Sequence, residues 1–248
     1  MIRPPFPGRL AFFREDGIMS GAKTFLKMAA LTVKERLLDL YRLLHGTLGP
    51  QGWWPGETPF EVALGAILTQ NTNWRNVARV IEGLKAEDLL DPLVLGKIPE
   101  DELARCFRSA GYYNIKARRV KNFLDFVAER FGNSMENMAG EDWQTLRADL
   151  LSLHGIGPET ADSILLYALH KPTFVVDAYT FRILSRHGLV ADPCSYEELR
   201  QLFMDRLPPE VPLYQEFHAL LVRVGKEFCR PQPRCPGCPL ETWPEASA

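Results

Sequence analysis

No apolar run approaches the roughly twenty residues that a membrane-spanning helix needs, and the N-terminal stretch lacks the hydrophobic core of a secretion signal. The chain is therefore expected in the cytosol, with no membrane partner. Cysteine is scarce, and three of the five crowd between Cys229 and Cys238, a distribution that excludes a disulfide framework. An excess of one charge sign is also missing. A net charge of −2 argues against a uniformly basic binder, so any polyanion must be met by a local basic face. Strand patterning is nearly absent, since only Thr173 to Val176 looks extended. What is present is core: 46% hydrophobic residues in a chain of 248 suffices for one large domain or two small ones.

The periodicity is helical almost throughout, which predicts an all-α fold of about ten helices. Residues 1–28, rich in Pro, Gly and Arg, read as a flexible tail, and Met19 or Met28 could be the natural start. Thr32 and Glu35 match a capping box ahead of an apolar stripe that ends at Gly49-Pro50. Thr58, Pro59 and Glu61 mark a second capped start, and Phe60 to Thr69 is apolar nearly all round, as a central helix would be. Further helices are expected after Asn73, from Pro99, after the turn Ser109 to Asn114, over Trp143 to Leu151, after Asp177 and Ser195, and over Leu213 to Phe228.

The rest of the chain is organised around Leu153-His-Gly-Ile-Gly-Pro-Glu-Thr-Ala161 and Val175-Val-Asp177-Ala-Tyr179. Gly155 and Gly157, followed by a proline suited to a first helical position, describe a tight turn between helices. Backbone N–H groups bared at such a turn, backed by the dipole of the next helix, suit an anion such as a DNA phosphate. The plainer alternatives are a C-cap turn and, for Asp177, an N-cap.

Four other stretches carry candidate chemistry. Trp53-Trp54-Pro55 places paired rings on a loop, as core plugs or as walls for a flat ligand. Leu68-Thr-Gln70-Asn-Thr-Asn-Trp74 is an uncharged polar run after a buried helix, offering either capping groups or probes that enter a duplex. Tyr112 and Tyr113 stand beside Lys116, Arg118, Arg119 and Lys121, a mixture that suits phosphate and base contacts, or simply a solvated face. Cys229, Cys235 and Cys238 suggest a soft metal or an iron–sulfur cluster, although both normally take four ligands.

In their order and spacing these motifs resemble the helix-hairpin-helix DNA glycosylases of the endonuclease III superfamily over roughly residues 32–240. The resemblance implies two helical domains facing DNA across a cleft: a barrel from residues 59–171 that carries the hairpin 153–160, and a second domain from 29–58 and 172–248 that carries the cysteine loop 229–238. It implies a monomer, associated with the nucleoid and acting on double-stranded DNA that contains a damaged base. Asp177 matches the catalytic aspartate, which stabilises the positive charge that builds on the sugar and assists the attacking water. Gln70 and Tyr112 fall where the family inserts wedges into the gap left by a flipped base, and Gly155 and Gly157 match the hairpin that grips phosphate. Lys116 and Arg119 are expected DNA contacts.

Two departures from the family pattern bear on chemistry. Glu159 stands where endonuclease III carries its Schiff-base lysine, and a carboxylate cannot form an imine. The expectation is a monofunctional enzyme. Glu159 together with Trp53-Trp54-Pro55 looks more like the 3-methyladenine DNA glycosylase III branch, in which an alkylated, cationic purine would stack on aromatic faces. The rivals are a bifunctional glycosylase/lyase on oxidised pyrimidines that uses another lysine, such as Lys116 or Lys171, and a non-catalytic DNA-binding module. The second departure is the missing fourth cysteine, which leaves a [4Fe–4S] cluster with a non-cysteine ligand, a loop packed without metal, or zinc.

Overall fold

The computed structural model describes residues 31–243. The expected tail 1–28, with Met19 and Met28, lies outside them. Among the described residues there is no strand, and there are twelve α-helices rather than about ten. The difference comes from short turns of helix such as Pro92–Lys97 and Met135–Ala139, too brief to show an amphipathic period but capped by Asp91 and Ser134.

Helix α1 (Val33–Leu48) opens with the expected reciprocal box between Thr32 and Glu35. Helix α2 (Pro59–Leu68) is the central element, with every residue from Phe60 to Leu68 buried. Its cap departs from the expectation. Thr58 accepts from the Glu61 N–H as foreseen, but the Glu61 carboxylate accepts from the Glu57 N–H and pairs with Lys85 at 3.0 Å. Around α2 pack α3 (Trp74–Ala86), α6 (Tyr113–Phe131) and the hairpin's second helix. That helix begins as α9 (Pro158–Ser163) and continues as a wider π turn over Ile164–Ala168, all of it buried. Between α3 and α6 lie α4 (Pro92–Lys97) and α5 (Glu100–Cys106), and after α6 come α7 (Met135–Ala139) and α8 (Trp143–Ser152).

The expected extended stretch, Thr173 to Val176, is buried but joins no sheet. It leads into α10 (Ala178–Arg186), which packs on α12 (Val211–Glu227). Helix α1 in turn contacts α12 and α11 (Tyr196–Arg206), so residues from both ends of the described chain meet in one region. Asp162 ties this region to the hairpin helix. Fully buried, it accepts from both Nε and Nη2 of Arg147, from Thr173 Oγ1 and from Tyr196 Oη. Such a charge would be costly alone, but here every lone pair has a donor. No helix is long and apolar enough to cross a membrane among the described residues.

Candidate active site

The glycine turn is held from three sides. Gly155 has φ +95°, and a Cβ there would run into the Arg119 side chain, lying 2.8 Å from its Cδ and Nε, so both the backbone and the neighbour require glycine. Gly157 has ordinary extended backbone, and a Cβ there would meet open space. Gln70 braces the turn: its Nε2 donates to the Gly155 carbonyl at 3.1 Å and to Thr160 Oγ1 at 2.8 Å, while its Oε1 accepts from Arg119. Asn122 donates to the His154 carbonyl. No side chain caps α9, so its first N–H groups are left for water or an anion.

Asp177 is the N-cap of α10, but capping uses only half of its carboxylate. Oδ1 accepts from the Thr180 N–H at 2.7 Å and from its hydroxyl at 2.9 Å. Oδ2 faces the cleft, 3.7 Å from His218 Nε2. Burial opposes ionisation of Asp177, yet the imidazole and the two Thr180 donors outweigh it and hold the carboxyl below its usual value. Glu159 is shifted the other way, raised by burial and then by the Asp177 charge, with His218 acting in the opposite sense. Its side chain keeps exposed surface while protein crowds its other sides. Two carboxyl groups in one cleft, pushed apart in acidity, form the arrangement expected where one must stay charged.

The cleft has a volume of about 1100 Å³, and Asp177, Glu159, His218, Gln70 and the hairpin line it together with Trp53, Trp54 and Trp74. The three indoles pack on one another with centroids 5.1 to 5.8 Å apart. Trp54 also meets Tyr167, and Lys226 Nζ stands 5.5 Å from the Trp53 ring centre. An aromatic-walled slot beside a fixed anion suits a flat, electron-poor ring.

A family model described as the HhH-GPD superfamily base excision DNA repair protein matches residues 64–209, more than half of the chain. The chain belongs to the HhH-GPD superfamily. Among its relatives, a Methanocaldococcus jannaschii protein named as a candidate DNA repair glycosylase is 48% identical over 209 residues, covering 84% of this chain and 94% of that one. Endonuclease III of Thermotoga maritima is 28% identical over 184 residues, 74% and 81% of the two chains. A crystal structure of H. pylori 3-methyladenine DNA glycosylase bound to 1,N6-ethenoadenine is 31% identical, with a TM-score of 0.69 over 79% of this chain and 98% of that one. An endonuclease III–DNA complex, 23% identical with a TM-score of 0.72, shares the fold.

Within this HhH-GPD fold the residues singled out in the sequence are placed unevenly. Trp53, Trp54, Gln70, Arg119, Gly155, Gly157, Glu159 and Asp177 all line the cleft, and Pro55 does not. Tyr112 stands off the cleft at the head of α6, 67% exposed and left-handed at φ +48°. Lys116 is not on the basic face. It is buried, donates to the Ala110 carbonyl at 2.7 Å, and is lowered to about 8 by burial and by the nearby Arg119. Neither Lys116 nor Lys171 lines the cleft; among the described residues Lys226 is the lysine that does. His218 and Tyr167 carry no motif, since each is a lone polar ring among apolar neighbours, and Trp74 gives no sign in the sequence that it joins the Trp53-Trp54 wall.

The cysteine loop offers three thiols, one fewer than the four ligands that a cluster normally takes. The Cys229 thiol is buried and accepts from Arg186 Nη1 at 3.3 Å, and Cys235 is exposed. The same guanidinium donates to the carbonyls of Arg230 and Pro231, so a cation closes the turn that begins the loop. The ring that follows the three cysteines, Trp243, is buried and donates to Asp39 at 3.0 Å. Among the described residues no three His, Cys, Asp or Glu side chains are grouped to hold a metal.

Proposed function

We propose that this protein is a monofunctional DNA glycosylase that flips an alkylated purine, such as 3-methyladenine, into the tryptophan-walled cleft and hydrolyses its N-glycosidic bond, leaving an intact abasic site. The observation that carries this reading is the pair of carboxylates that line the cleft. Glu159 stands immediately before Thr160, where a Schiff-base nucleophile would be needed, while Asp177 presents an ionised, half-occupied carboxylate. As the C1′–N bond stretches, positive charge grows on the sugar, and a carboxylate already fixed by Thr180 stabilises it without reorganising. A methylated purine carries its own positive charge and departs as a neutral base, so it asks for little acid catalysis, and its cationic ring is attracted to indole faces. The 31% likeness to a 3-methyladenine glycosylase supports the same substrate class.

Gly155, Gly157 and Arg119 would grip the backbone of the damaged strand, and the exposed Tyr112 would fill the gap left by the flipped base. The test is release of free base from methylated duplex DNA, with strand breaks measured before and after hot alkali. Release of 3-methyladenine, with breaks only after alkali and a loss of about a hundredfold or more in Asp177→Asn, is the expected result. Asn remains a good N-cap, so that variant keeps its fold. A second reading, lyase chemistry, is favoured only by Lys226 at the Trp53 wall. Borohydride trapping of a covalent adduct would establish it and overturn the first.

A further inference from the structure

We propose that His218 takes the proton of the attacking water, sharing that water with Asp177. The inference rests on the glycosylase reading above and assigns the base within it. His218 lies on α12 with only 5% of its surface exposed. Its Nε2 is buried, lacks a hydrogen-bond partner and belongs to the cleft wall. A buried ring nitrogen left without a partner is costly unless something polar occupies the space in front of it.

The other side of the ring fixes which nitrogen is bare. Tyr167 Oη lies 3.1 Å from the Gln215 carbonyl, which can only accept, and 2.6 Å from His218 Nδ1. The hydroxyl has one proton; given to the carbonyl, it leaves the phenol oxygen to accept from Nδ1–H, and this is the tautomer we assign. In the neutral ring Nε2 is then an acceptor aimed into the cleft. Its separation from Asp177 Oδ2, 3.7 Å, is too long for a direct hydrogen bond. A single water entering that gap from the cleft side would bridge the two atoms. Donating to both, it keeps a lone pair for the sugar.

The two groups then divide the work. Asp177 has Oδ1 committed to the two Thr180 donors, which favour its charged form and suit it to facing a cationic sugar. An imidazole is intrinsically the stronger base. In the step, a water O–H bond breaks and its proton passes to Nε2. The oxygen bonds to C1′, the C1′–N bond breaks, and its electron pair leaves with the base. The imidazolium keeps Nδ1–H on Tyr167 and faces the Asp177 carboxylate, which stabilises it.

The experiment is single-turnover release of 3-methyladenine from methylated duplex DNA by the full-length wild type, His218→Ala, His218→Gln and Asp177→Asn, with and without added imidazole, alongside duplex affinity and thermal melting. The expectation is a loss of about a hundredfold in rate for both His218 variants with unchanged duplex affinity, and partial recovery of His218→Ala, but not of Asp177→Asn, in imidazole. Wild-type rates in a folded His218 variant would overturn the inference, as would a folded, slow His218→Ala that imidazole does not rescue. Should His218→Ala fail to fold, His218→Gln decides: folded and slow supports the proton transfer, folded and fast refutes it. No release by the wild type would instead remove the glycosylase reading itself.

Discussion

Gly155 and Gly157 are two residues apart in one turn, yet the structure demands glycine only at the first. At Gly155 an alanine would sit at φ +95° and press its Cβ into the Arg119 stem. Left-handed backbone costs a non-glycine residue about 1–2 kcal/mol, and overpacking adds about 1–3 kcal/mol. The Arg119 atoms involved, Cγ to Nε, belong to its stem, and the head is tied to Gln70, so the side chain cannot simply swing away. Gly155→Ala should therefore cost about 2–5 kcal/mol, a large fraction of the roughly 5–15 kcal/mol that holds a domain together. At Gly157 a Cβ meets nothing and the backbone is relaxed, so Gly157→Ala should shift stability by less than about 0.5 kcal/mol. The open space beside it is the approach to the uncapped start of α9, and a methyl group there should weaken binding to undamaged duplex by about tenfold, close to the value of one charge-assisted hydrogen bond. Urea melts and duplex-binding titrations of the two variants separate the effects. Equal stability of the two variants would refute the reasoning about Arg119, and full duplex affinity in Gly157→Ala would refute the reasoning about the phosphate.

Glu159 is raised in the folded protein, so its charge opposes folding at pH values above its folded-state value, and the cost vanishes below the ordinary glutamate value of about 4.3. Glu159→Gln should thus raise the melting temperature at neutral pH and leave it unchanged at pH below about 4; an equal gain at both would show that charge is not the cause. At Gly225 an added Cβ would lie 2.5 Å from Tyr179 Cβ and 2.6 Å from its Cγ. Gly225→Ala should cost about 1–3 kcal/mol and, by displacing α10 with Asp177 at its head, slow base release; a variant with wild-type melting and rate would contradict this. The purified protein should contain no stoichiometric iron and no absorption near 400 nm. Iron that is lost on replacing Cys238 with serine would overturn that expectation.

Legibility varied along the chain with how local the determining physics is. The capping boxes at Thr32 and Ser195 were readable because both partners lie within four residues. Glu61 looked the same in sequence and behaves differently, since Lys85 and the Glu57 N–H compete for its carboxylate. Lys116 sat in a run of basic residues, but helix phase turns it inward while Arg118 stays exposed. Asp177 was legible through its motif; its free oxygen was not.

The sequence by itself determined the longer helices, most of their caps, the glycine turn and the superfamily, because period, capping and positive φ are written over short spans. Only the tertiary structure decided that Gln70 braces the hairpin, that Trp74 completes the aromatic wall, and that His218 faces Asp177 from a helix some forty residues further on. Those pairings depend on how α2, α3, α10 and α12 cross, and a crossing is set by the summed packing of many side chains, no one of which announces its partner.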